Sequence, residues 1–139
     1  MKTIIQSQNH YLLRFDCGEE VLSSLKNFCS ENGIAAGSFQ AIGAVGEVTI
    51  SYYELDTKVY HDQNLLEDLE IVSVLGNISI LGDAVVVHAH GSFSNAAMQL
   101  KGGHIKKMVV SATCELTLVK FEGKIERKFD EKTGLNLMI

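Results

Sequence analysis

The sequence predicts an α+β fold, a mainly antiparallel sheet covered by one long helix, and three observations carry that prediction. Only one segment has helical periodicity, "EEVLSSLKNFCSENGI" at residues 19–34. Most of the remainder consists of runs rich in Val, Ile, Thr, Tyr and Phe, punctuated by Gly, Asn and Asp, which is the composition of strands and their turns. These runs follow one another without helices between them, which disfavours a doubly wound parallel sheet.

The first strand is expected over residues 10–16. The helix comes next, because Val21, Leu22, Leu25, Phe28 and Cys29 recur at the spacing of one buried stripe,. Glu19 and Glu20 sit where the helix dipole is positive, Gly33 supplies a left-handed stop, and Ile34 can fold back toward Cys29. Further strands are expected over 36–42, 45–55, 69–81, 84–93, 107–121 and 124–129. "GAVG" at 43–46 lacks the Lys-Ser/Thr of a phosphate loop and precedes no helix, so it reads as a turn or bulge between strands. "GD" at 82–83 and "EGK" at 122–124 are tight hairpin signals.

Face parity orients two of these strands. In "VVSATCELTLVKF" the even positions Val110, Ala112, Cys114, Leu116 and Leu118 are apolar, so they are expected to meet the core while Glu115 points away from it. In "VVVHAHGSF" the odd positions Val85, Val87, Ala89 and Phe93 are the apolar set. That leaves Val86, His88, His90 and Ser92 on the opposite face.

With 139 residues the chain is predicted to form one domain, 1–139, and a domain near this size buries roughly two-thirds of its unfolded surface. Hydrophobic residues at 46% and charged residues at 21% are ordinary for a globular protein,. The net charge of −5 argues against a nonspecific grip on nucleic acid,. The basic pairs Lys106-Lys107 and Arg127-Lys128 read as solvated strand edges or turns. Cys17, Cys29 and Cys114 have no CxxC spacing and read as buried free thiols in a reducing compartment. The opening "MKTIIQSQNH" contains no signal-peptide hydrophobic region, and "IVSVLGNISILG", at 12 residues, is too short and interrupted to span a bilayer,. A cytoplasmic protein without a membrane partner is expected, in which the sequon Asn77-Ile78-Ser79 carries no meaning.

The histidines carry the chemistry. Residues two apart on a strand project side by side, roughly 7 Å apart at Cα, so His88 and His90 are able to lean onto one ion. Gly102-Gly103 removes side-chain bulk where the backbone approaches and turns to present His104. Three neutral imidazoles suit zinc or another late first-row dication with a position left for water. Paired strand histidines also serve as plain solvent-facing or hydrogen-bonded residues, and the pattern alone leaves both readings open. A cupin-type barrel is disfavoured, since its glutamate positions hold Phe93 and Ser94. His10 and His61 read as surface residues. No Gly-x-Ser-x-Gly elbow is present,.

Across nearly its whole length the chain resembles the plants-and-prokaryotes-conserved (PPC) domain, known from stand-alone bacterial and archaeal proteins and plant AT-hook nuclear proteins. "LLRFDCGEEVLSSLKNFCSENGI", "AIGAVGEVTISYYE", "LEIVSVLGNIS", "HAHGSF" with "KGGHI", "ATCEL" and the tail "DEKTGLNLM" carry the likeness in order. The resemblance implies an antiparallel α+β fold, a homotrimer, and a metal ion held by His88, His90 and His104. It also brings a DNA-binding label. The plant proteins use an AT-hook for this, and a chain without proline lacks the Arg-Gly-Arg-Pro core of a hook.

Three functions follow as expectations. One is a metal-containing binding or regulatory module acting through a partner, with DNA as one candidate. Another is a metal-dependent enzyme acting on a small molecule through metal-bound water, with Glu115 as its base. The remaining one is a structural ion that locks a subunit interface.

Overall fold

Two long strands organise the chain, β3 (Gly37–Glu54) and β7 (Leu100–Lys120), in a computed structural model that describes residues 1–139. They run antiparallel from Gly37 opposite Lys120 to Ser51 opposite His104. The other edge of β3 carries β5 (Leu69–Leu81) and then β4 (Val59–Leu65). The other edge of β7 carries β2 (His10–Asp16) at one end and β6 (Ala84–Ser94) at the other. Because β5 also pairs with β6, the circuit β3, β5, β6, β7 closes on itself, which leaves edges only at β4 and at β1 (Lys2–Ser7) beyond β2. Every pairing in this sheet is antiparallel, as the sequence predicts.

The helix α1 (Val21–Glu31) has 11 residues, a short element of three turns rather than the long one expected. It starts at Val21 because the Glu20 carboxylate accepts from the N–H groups of Leu22 at 3.2 Å and Ser23 at 2.7 Å. The same carboxylate accepts from the Met108 N–H at 3.0 Å, which ties the helix start to β7. Gly33 ends the helix at φ +59, and the Ile34 N–H donates to the Cys29 carbonyl at 2.8 Å. Val21, Leu25, Phe28 and Cys29 are buried in a core with Leu13, Phe15, Phe93 and Leu116, each large side chain contributing about 2 kcal/mol.

"GAVG" is a bulge inside one strand, not a boundary between strands ending at 42 and starting at 45. The β3–β7 register shifts between Gly43 and Val45 and again between Val45 and Glu47. Gly43 has φ +140, and a Cβ there would lie 2.1 Å from the Thr113 carbonyl oxygen. The matching irregularity on β7 leaves Ala112 exposed, while Val110, Cys114, Leu116 and Leu118 are buried as parity requires.

Gly82-Asp83 makes the expected two-residue hairpin between Leu81 and Ala84. "EGK" does not make one. The chain turns at Gly123 (φ +86), and Ile125 then bonds Ala35 and Ile80 at 3.2 and 2.8 Å. Beyond it β8 (Arg127–Asp130) pairs with β9 (Leu135–Met138) as a separate two-stranded sheet. Cys29 and Cys114 are buried and burial pushes both thiols up to about 12, but Cys17 is exposed because it lies in the turn after β2. No helix is long and apolar enough to cross a membrane.

Candidate metal centre

The alternation of β6 buries Val85, Ala89 and Phe93 and turns His88 and His90 to the other face. His104 arrives from β7 as the register partner of His90, and directly opposed residues in an antiparallel pair share a face. The glycines make this approach sterically possible. A Cβ on Gly102 would lie 2.4 Å from the Gly91 carbonyl oxygen, and one on Gly103 would lie 2.8 Å from that of Ser51. The pair therefore serves close strand contact on both edges of β7, not the turn that the sequence suggested, since both glycines lie inside the strand.

The three imidazoles form a nearly equilateral triangle, with ring centroids 5.3 Å apart for His88–His90, 5.1 Å for His88–His104 and 5.3 Å for His90–His104. One ligand nitrogen from each lies within 4.8 Å of the others. Burial, with the neighbouring positive groups His104, Arg127 and His90 behind it, pushes His88 down to about 4. Burial and nearby His90 and Lys106 also lower His104, while the Asp62 carboxylate opposes that fall. Both rings are thereby held neutral at physiological pH, the form that ligates a metal. Three imidazole donors without a carboxylate or thiolate fit a late first-row dication, and they leave a coordination position for another ligand.

Groups around the triangle fix its surroundings. Tyr60 on β4 stacks on His104 at 5.2 Å and on Tyr53 at 4.7 Å. The Lys106 ammonium sits 4.7 Å above the Tyr60 ring and donates to both Asp62 oxygens at 2.7 and 2.9 Å. The Ser51 hydroxyl donates to the same carboxylate at 2.7 Å, so Asp62 stays below the usual carboxylate range. Beside His88 and His104 opens a cleft of about 420 Å³, closed on its far wall by β9.

Arg127 lies in that cleft, half-buried, rather than on a solvated edge. It donates from Nε to the Ser79 hydroxyl at 2.6 Å, from one terminal nitrogen to Asn77 Oδ1 at 2.9 Å, and from the other to the Asn136 carbonyl at 2.8 Å. Asn77 is the cross-strand partner of His88, which places the guanidinium next to the triangle. Sequence reasoning missed both Arg127 and Tyr60 as members of this site. Neither carries a local signal, since each is brought there by pairing between distant strands.

Glu115 does not join the histidines. It pairs with Arg14 and Ile42 toward the other end of β7 and lines a separate cleft of about 370 Å³ with Ile42, Val72 and Leu75. Ten residues of strand lie between it and His104, so a base role at this centre fails within the chain. His10 and His61 are exposed as expected, His61 Nε2 lying 3.3 Å from Glu54. Three of the four basic residues are engaged, Lys106 by Asp62, Lys107 by Glu47 at 2.7 Å and Arg127 by the cleft, while Lys128 is exposed.

The sequence profile of the Plants and Prokaryotes Conserved (PCC) domain matches residues 3–122. A candidate DNA-binding protein from Bacteroides thetaiotaomicron is 29% identical with a TM-score of 0.94, covering 97% of this chain and 94% of that one. A metal-containing protein from Archaeoglobus fulgidus is 35% identical with a TM-score of 0.89, covering 100% of this chain and 99% of its own. A PPC protein from Pyrococcus horikoshii is also 35% identical at a TM-score of 0.89, with 100% and 97% covered. No curated protein matches the chain.

Proposed function

The chain belongs to the Plants and Prokaryotes Conserved domain family, and from that premise we propose that it is a metal-binding module in which His88, His90 and His104 hold one divalent ion, zinc for preference. The observation that carries this reading is the triangle of imidazole nitrogens within 4.8 Å. The metal-containing Archaeoglobus fulgidus relative supports it. When bound, the ion supplies Lewis-acid chemistry at its open position. The protein's own part is to keep two of the three rings neutral by burial and to hold strand β7 against β6 through Gly102 and against β3 through Gly103.

The module is one domain, 1–139, in the cytoplasm, and it acts as a homotrimer. Support for self-assembly comes from the sheet face where Ile42, Val72 and Leu75 are 59%, 50% and 59% exposed around one cleft, an apolar cluster that a second copy would cover. DNA remains the partner that the Bacteroides thetaiotaomicron relative suggests. Three copies at −5 each carry −15, and Lys106 and Lys107 are already paired with carboxylates, so the isolated protein binds DNA weakly at best.

A metal-dependent enzyme is the second reading. The roomy cleft beside His88 and His104 favours it over a purely structural ion, because a small molecule has space there,. Elemental analysis of purified protein tests the primary reading. One ion per chain is expected in the wild type, and His88→Ala or His90→Ala should remove it while leaving a folded protein. Full occupancy in both variants would place the ion elsewhere.

A further inference from the structure

The cleft beside the triangle has a charge imbalance. With a dication on three neutral imidazoles and the Arg127 guanidinium beside His88, its positive charges face no acidic side chain, since neither Asp nor Glu lines it. Asp62, the nearest carboxylate to His104, is already committed to Lys106 and Ser51. Like charges in a partly desolvated space raise one another's energy, and an anion placed between them relieves that cost.

Arg127 is prepared to meet such an anion. A guanidinium has five N–H groups in a fixed plane. Three of them donate to Ser79, Asn77 and Asn136, which locks the plane and leaves two. Two remaining N–H groups suit a planar two-oxygen acceptor such as a carboxylate. Most of the remaining wall is apolar, with Leu81, Val86, Val87, Leu135 and Leu137. The volume of about 420 Å³ lies in the range of small-ligand pockets,.

We infer that this cleft binds a small carboxylate with a short aliphatic tail, its carboxylate recognised by Arg127 and its tail resting on the apolar wall. The inference rests on the metal-centre reading. It also gives the C-terminal hairpin a role, because β8 supplies Arg127 and β9 supplies Leu135 and Leu137. The hairpin is pinned over the site by the Tyr53 hydroxyl on the Thr133 carbonyl at 2.7 Å and by Lys58 on the Glu131 carbonyl at 2.5 Å.

Calorimetric titration of zinc-loaded protein with isobutyrate and with its neutral isostere isobutyramide tests this, zinc content being measured first. Isobutyrate should bind at least about tenfold more tightly than the amide, the worth of one charge-assisted contact. Arg127→Gln should keep its zinc and lose about the same factor for isobutyrate. Since Arg127 also latches the hairpin, Leu137→Glu is the companion variant. It leaves the latch intact and should weaken isobutyrate by about tenfold through like-charge repulsion. Equal affinity for acid and amide, or unchanged isobutyrate affinity in Leu137→Glu, would overturn the inference. A protein that takes up no zinc overturns the metal reading and this one together, whereas zinc-loaded protein with an unselective cleft overturns this one alone.

Discussion

The two ends of strand β7 differ in what they offer a ligand. At the His104 end, glycines let three strands crowd together, and the side chains displayed there are imidazoles, a tyrosine and a fixed guanidinium. At the Glu115 end the strand is broad and paired on both edges, and the cleft beside it is lined by exposed Ile42, Val72 and Leu75. The first end brings its donor set together within one chain. The second offers shape and apolar area, which have value only against another surface. The proposed metal site and the proposed assembly face thus lie toward opposite ends of β7, and apart from Leu75 beside His90 they depend on different residues, so each should be breakable without the other.

The largest effect is expected at the assembly end. Ile42→Glu, at a position that pairs with Glu115 away from the histidines, should convert the proposed oligomer to monomer at micromolar concentration by light scattering, with zinc content unchanged. A monomeric wild type across a wide concentration range would instead remove the assembly role from that face.

Next in size is Gly102→Ala. The added methyl would meet the Gly91 carbonyl oxygen at 2.4 Å, so denaturant unfolding should report a loss of about 1–3 kcal/mol, with zinc bound more weakly. Unchanged stability and zinc affinity would mean that the strands do not need this close contact.

A smaller effect is expected from pH in the metal-free protein. His88 is pushed from 6.5 down to about 4 in the folded state, so the unfolded chain takes up a proton that the folded chain refuses. Stability present at neutral pH should therefore fall as pH drops from about 6.5 to about 4 and level off in this component below that,. His88→Asn should reduce the fall in this window, His104 supplying the remainder, and the paired carboxylates, such as Asp62, should act only at lower pH.

The smallest response is expected with DNA. Fluorescence anisotropy with mixed and AT-rich duplexes near physiological salt should give binding weaker than about 10⁻⁴ M. Submicromolar binding with a steep salt slope, lost on neutralising Lys106, Lys107, Arg127 and Lys128, would overturn this expectation in favour of a DNA-binding module.

Legibility in the sequence followed burial. The core strands and the helix were readable because Val21, Leu25, Phe93 and Leu116 lie on faces with a clear period, and the same parity placed His88 and His90 correctly opposite the core. The edges were not readable. All of β1 is exposed and β4 buries only Leu65, so neither alternates, and β9 is a four-residue strand with no buried residue. The three histidines announced themselves by spacing, yet their supporting groups did not. Tyr60 reaches His104 through the β3–β4 hairpin, and Arg127 reaches His88 through Asn77, contacts that exist only after the sheet has closed.

X-ray absorption at the zinc K-edge tests the central claim most directly. The wild-type spectrum should fit three imidazole nitrogens at about 2.0–2.1 Å plus one oxygen ligand, with His104→Ala losing the ion or dropping to two imidazoles. Sulfur scattering at about 2.3 Å, or a spectrum unchanged in His104→Ala, would contradict it.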